Sequence, residues 1–180
     1  GNAVYKLDQM APLNGIEHGN AHNAIGDVVA TVGIAKIIAQ KAPNVWKASL
    51  LTLDKNKSLE LIKNENYFCA NEYFYGKSRL YVQAFVCQHP IYQWPLCFDL
   101  KHDPSIYLKM STQELIAAMK KNPKFLRTIR HNKHPIIMNP SYANDFEEYK
   151  IIGKEKLEKR AKLIKSSKEF SEKIGLIKQE

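Results

Sequence analysis

Residues 14–31 read Asn14-Gly15-Ile16-Glu17-His18-Gly19-Asn20-Ala21-His22-Asn23-Ala24-Ile25-Gly26-Asp27-Val28-Val29-Ala30-Thr31. Asn14-Gly15 and Gly19-Asn20 are turn signals, and an apolar run follows them. Asn23 suits an N-cap, and Asp27 falls near the first helical turn. Ala24, Ile25, Val28, Val29, Val32, Ile34, Ala35, Ile37 and Ile38 then cover more than one helical face. That pattern predicts a helix over 22–42, buried against a sheet or sibling helices. It also puts His22 in a loop and Asp27 on the helix that the loop enters. An aspartate there offers the hard oxygen ligand that Mg²⁺ or Mn²⁺ prefers. A neutral histidine beside it suits the general base that takes a proton from metal-bound water, a step in two-metal phosphodiester hydrolysis. On spacing alone, a capping aspartate and a surface histidine is the commoner reading.

Upstream, Lys6 to Met10 can form a helical turn, which Pro12 breaks. Downstream, Pro43-Asn44 ends the long helix, and Val45 to Leu53 reads as another. Asp54-Lys55-Asn56-Lys57 reads as a polar turn, while Ser58 to Lys63 is ambiguous. From about residue 64 the texture changes. Tyr67-Phe68-Cys69, Tyr73-Phe74-Tyr75, Leu80 to Cys87 and Trp94 to Leu100 are rich in aromatic and β-branched residues. Turn signals at Asn71, Gly76-Lys77-Ser78 and Gln88-His89-Pro90 separate them, which predicts short strands at barrel-like spacing. Ser111-x-x-Glu114 spells a capping box for a helix that lines up Leu115, Ala118 and Met119 and stops at Pro123. Phe125 to Arg130 and Pro135 to Met138 read as closing strands. Beyond 150 the chain is basic and helical. Leu157, Ala161, Ile164 and Phe170 form a thin apolar stripe, expected to be a solvated helix that packs on a neighbour outside the chain.

The 180 residues are 44% hydrophobic and 25% charged, which is ordinary globular composition. No apolar run approaches the roughly 20 residues of a membrane span, and the N-terminus has no signal-peptide pattern. Cys69, Cys87 and Cys97 make an odd set without CxxC spacing. They read as buried, inert thiols of a reduced, cytoplasmic protein. Gly1 in place of Met suggests a chain that starts inside a longer protein. The formal charge of +9 points to a polyanionic partner, of which nucleic acid is the commonest.

Two basic regions fit that partner. In the first, Tyr73, Tyr75, Lys77, Arg79 and Tyr81 interleave rings with cations, so that rings can stack on unpaired bases while cations track phosphates. About half of these rings must instead fill the interior, because strand side chains alternate faces. In the second, Arg127, Arg130 and Lys133 can form a phosphate-contacting edge.

The stretch 14–31 closely resembles the last nuclease motif of the bacterial exodeoxyribonuclease I family. The likeness continues through Ile34-Ala35-Lys36 and Pro43. It runs more weakly through Asn56-Lys57, His89-Pro90, Phe98-Asp99-Leu100, the Ser111 helix start and His131 to Pro135. The resemblance implies an α+β chain. In it, residues 1–45 end a ribonuclease H-like exonuclease domain, 46–148 form an SH3-like barrel with an inserted helix, and 149–180 begin a C-terminal helical domain. It implies a metal-dependent 3′ to 5′ single-stranded DNA exonuclease of the DEDD group, acting in DNA repair. His22 would be its general base and Asp27 a ligand of Mg²⁺ or Mn²⁺. Its implied partners are single-stranded DNA, an upstream nuclease domain and single-strand-binding protein, with no membrane. The family's Asp-x-Glu motif and its third carboxylate are absent, so the chain alone is expected to be inactive and to hold no metal stably. Two other readings are a stand-alone single-strand nucleic-acid-binding module and a peptide-binding barrel.

Overall fold

The computed structural model describes residues 6–17, 24–74, 77–133 and 135–179. The chain divides into two compact units, Gly1–Lys47 and Ala48–Glu180.

The first unit holds α1 (Leu7–Leu13), α2 (Ala24–Lys41) and the start of α3 (Pro43–Leu51). Gly15, at φ 72, ends α1 in a left-handed turn that suits glycine. There Ile16 N–H reaches the Ala11 carbonyl at 2.9 Å and Gly15 N–H the Pro12 carbonyl at 3.0 Å, a Schellman closure. The closure lays Ile16 on α2 at Gly33, where a Cβ would fall 2.8 Å from its Cδ1. Pro43 opens α3 at its first position, where a missing N–H costs nothing. The expected burial of α2 is not met within this unit. Ala30 is its buried residue, while Val28, Val29 and Val32 are 61%, 53% and 47% exposed. α1 is too short to shield a helix that is apolar on more than one face.

The second unit is built on a sheet. α4 (Lys55–Asn64) leads into β1 (Phe68–Phe74), β2 (Lys77–Gln88) and β3 (Pro95–Asp99). α5 (Pro104–Tyr107), α6 (Thr112–Lys120), β4 (Leu126–Thr128) and β5 (Ile136–Met138) follow. The chain then runs through α7 (Glu147–Lys150), α8 (Lys154–Ser166) and α9 (Lys168–Ile177). Among the described residues the sheet has five antiparallel strands in the order β4-β3-β2-β1-β5. This is the α+β class that the sequence implies.

Three local readings change. Lys55–Asn64 form a helix, because Asp54 caps it, accepting from Asn56 N–H at 2.7 Å and Lys57 N–H at 3.1 Å. β1 runs straight through Asn71, whose amide oxygen takes the Ser78 hydroxyl at 2.6 Å across the hairpin instead of turning its own strand. The C-terminal stripe packs on this chain's own sheet. Leu157, Ala161 and Ile164 of α8 and Phe170 and Ile174 of α9 join Leu80, Val82, Ala84, Val86, Leu96 and Phe98 in one core. The sheet face supplies the apolar surface that the thin stripe needs. Each fully buried Leu, Ile, Val or Phe among them contributes roughly 1.5–3 kcal/mol.

Polar contacts fix these helices. The Arg160 Nη1 donates to the carbonyls of Leu100 at 2.6 Å and Lys101 at 3.0 Å. The Lys165 ammonium donates to those of Lys63 at 2.9 Å and Glu65 at 2.6 Å, closing the C-terminal end of α4. The opposite sheet face buries Phe68, Ala70, Cys97 and Ile137 against Ile62 of α4 and Ile129. The three thiols are free. Burial pushes Cys69 up to about 12 and Cys87 to about 11. Among the described residues no helix is long and apolar enough to cross a membrane.

Candidate nucleic-acid interface

Alternation along β2 sends Leu80, Val82, Ala84 and Val86 into the helix-covered core. Arg79, Tyr81 and Gln83 therefore share the other face. Register places Arg79 opposite Glu72, Tyr81 opposite Ala70, and Arg127 of β4 opposite Cys97. The Arg127 guanidinium crosses to Tyr81, its carbon 3.1 Å from the ring centroid. Its Nη2 lies 3.8 Å from the Glu72 carboxylate, with the two side chains 14% and 21% exposed. Burial raises the Glu72 carboxyl, and the Arg127 charge opposes that rise. Arg127 is thus held by a ring and a carboxylate, and it fixes the Tyr81 ring in turn.

Around this pair opens a groove of about 890 Å³ lined by Arg79, Tyr81, Lys101, Lys124, Arg127 and Phe146, among others. Lys101 is tied to Glu148 at 2.6 Å, and the Lys124 ammonium to the Met119 carbonyl at 2.6 Å. Arg79 is exposed. Below the groove Asp99 is buried, accepting from the Tyr149 hydroxyl at 2.8 Å and Lys101 N–H at 3.1 Å. Burial raises its carboxyl above the ordinary range. Four cations with one fixed ring suit a polyanion that carries flat bases.

The sequence-predicted residues separate into two groups. Lys77, Arg79 and Tyr81 lie on β2 and Arg127 on β4, beyond β3 in the strand order, with Lys77 exposed where β2 starts. Arg130 and Lys133 line a different recess. Tyr73 sits on β1 opposite Ser78; Tyr75 and His22 lie outside the described residues. Lys101 and Lys124 were missed, because nothing in their local sequence marks them. They arrive from the loops after β3 and α6.

Asp27 is half-buried on the first turn of α2, where its carbonyl accepts the Thr31 hydroxyl at 2.7 Å. Among the described residues no three His, Cys, Asp or Glu side chains gather into a metal-binding group.

No family model matches the chain. Exodeoxyribonuclease I of Buchnera aphidicola subsp. Baizongia pistaciae is 31% identical over 141 residues, covering 74% of this chain and 29% of that protein. Exonuclease I of Methylocaldum szegediense superposes with a TM-score of 0.73 at 22% identity, over 99% of this chain and 41% of that one. Escherichia coli exonuclease I in complex with a dT13 oligonucleotide gives 0.66 at 21% identity, over 97% and 41%. An ExoI/SSB-Ct complex gives 0.66 at 18% identity, over 97% and 40%. The chain thus spans less than a third of that curated relative and about two fifths of the solved chains. Sequence likeness to the curated relative and a fold shared over nearly all of this chain agree, and the chain is similar to one part of the exodeoxyribonuclease I family's proteins.

Proposed function

We propose that this chain is the part of a 3′ to 5′ single-stranded DNA exonuclease that supplies its last catalytic motif and one wall of its DNA channel. The groove around Tyr81 carries the reading. It gathers Arg79, Lys101, Lys124 and Arg127 beside a fixed ring on a chain of net charge +9. Its cations would follow the phosphates, which gives affinity without sequence preference. The first unit would close a ribonuclease H-like nuclease domain, and the sheet unit would be the SH3-like domain. The exposed Val28, Val29 and Val32 support this, since so apolar a helix face needs cover.

In that setting Asp27 would hold one oxygen on a Mg²⁺ or Mn²⁺ ion, which supplies the Lewis acidity for phosphodiester hydrolysis. His22 would take the proton of the attacking water. With one carboxylate in place, the isolated chain would bind DNA and leave it intact. Single-strand-binding protein is the protein partner that fits, given the solved ExoI/SSB-Ct complex.

Fluorescence anisotropy with a labelled single strand, across a salt series and with duplex as control, tests the channel. Tighter single-strand binding that falls steeply with salt is expected. Equal affinity for duplex, or no salt dependence, would sink it. Incubation of the purified chain with Mg²⁺ and a 3′-labelled strand tests the inactivity. Digestion that His22→Ala abolishes would refute it.

A further inference from the structure

The loop between β2 and β3, His89-Pro90-Ile91-Tyr92-Gln93-Trp94, has no role in the groove around Tyr81. It is closed by its own hydrogen bonds. His89 N–H donates to the Trp94 carbonyl at 2.7 Å, and Gln93 N–H to the His89 carbonyl at 2.8 Å. The Gln88 amide donates to the Gln93 carbonyl at 3.1 Å, and the Gln93 amide to that of Pro90 at 2.9 Å. Gln93 itself stands at φ 57, a left-handed conformation that costs a side-chain-bearing residue roughly 1–2 kcal/mol. A loop fixed at that cost would be expected to hide its apolar residues. Instead Ile91 is 63% and Tyr92 57% exposed.

The exposed ring is backed. Tyr92 and Trp94 stack with centroids 4.8 Å apart and planes 19° from parallel. The Arg130 guanidinium carbon lies 5.0 Å from the Trp94 centroid. Arg130, Lys133 and Lys178 all line the recess of about 580 Å³ beside these rings. The acidic residue that lines it, Glu72, is already paired with Arg127. The recess therefore presents a flat aromatic plate next to three cations, which complements a base and its flanking phosphates. Two ordered rings lose little entropy when a third flat group joins them.

We propose that Tyr92, stacked on Trp94 and flanked by the tilted His89 ring at 4.8 Å, is a stacking plate for one unpaired nucleobase, with Lys133 and Lys178 on the adjoining phosphates. This rests on the single-strand reading above and adds to it a contact point separate from the groove around Tyr81. The side chain at the plate is a positioning and binding group, remote from the Asp27 helix in sequence and in a different compact unit.

The test uses the full chain with Trp46→Phe, which leaves Trp94 as the remaining tryptophan of two. Trp94 emission and the anisotropy of a labelled oligothymidine are followed together. A strand of equal length with abasic sites serves as control. The proposal expects the normal strand to quench Trp94 and the abasic strand to leave it unchanged. Tyr92→Ala should weaken binding roughly 5- to 150-fold, the range of one base–aromatic stack, and Tyr92→Phe should retain it. Strand binding by anisotropy with Trp94 emission unmoved and Tyr92→Ala unaffected would overturn the plate and leave the channel reading standing. Quenching by an acidic peptide but not by the oligonucleotide would also overturn it, in favour of a protein partner. No anisotropy change even at low salt would overturn both readings.

Discussion

Arg127 and Arg79 sit on the same sheet face and differ in what holds them. Arg127 is nearly buried between Tyr81 and Glu72. Its replacement by alanine would leave the Glu72 carboxylate buried without a counter-charge. A loss of about 3 kcal/mol on urea unfolding is expected. Arg79 is exposed. Its replacement by alanine should leave stability within about 0.5 kcal/mol. It should reduce the slope of log affinity against log salt by about one for single-strand binding. Asp99 makes a pH prediction. Burial raises its carboxyl, so the folded state keeps a proton that the unfolded chain has already lost. Stability therefore falls as pH rises from the ordinary aspartate range through the raised value. Asp99→Asn keeps an oxygen for Tyr149 and Lys101 and cannot ionise. Unfolding curves between about pH 4 and pH 7 should be flatter for it than for the native chain. At this scale it was legible that strand alternation must divide the rings between two faces, but not that Tyr81 is the ring set apart from Leu80 and Val82 of the core. The Arg127 contact was not, because its two partners are brought to it by strand order, which no short stretch of sequence encodes.

Elements announced themselves where a side chain closes its own backbone. Ser111-x-x-Glu114 forms the capping box that its spelling predicts. Glu114 N–H donates to the Ser111 hydroxyl at 3.3 Å, and Ser111 N–H to the Glu114 carboxylate at 2.8 Å. Ser111→Ala should cost about 1 kcal/mol in thermal or urea unfolding. Asp54 does similar work for α4, yet its neighbours Lys55-Asn56-Lys57 resemble a turn, so the helix was not evident. α8 and α9 show the opposite limit. Their stripe was visible, but its partner lies roughly 70 to 95 residues earlier in the chain, on β2. Phe170, buried in that contact, gives the test. Phe170→Ala should destabilise by about 3–5 kcal/mol, far more than any substitution in a solvated tail.

The molecule as a whole carries two kinds of surface. The first unit exposes apolar side chains on α2, and the second is completed by helices on both faces of its sheet. Residues 48–180 expressed alone should therefore unfold in one cooperative transition; a broad, non-cooperative melt would show that this core needs residues 1–47. The family likeness was legible because the residues that carry it are contiguous, and the net charge because it is a sum. How the basic groups divide between the groove around Tyr81 and the recess beside Tyr92 was not, since a turn between strands decides it. One last property follows from the thiols inside the sheet. With Cys69 pushed up to about 12 and Cys87 to about 11, and Cys97 fully buried, these sulfurs stay protonated and slow toward electrophiles at neutral pH. A maleimide dye would pass over the buried Cys69 and Cys97, so once the half-buried Cys87 is replaced by serine, a cysteine introduced on the rim of either basic surface could be labelled alone.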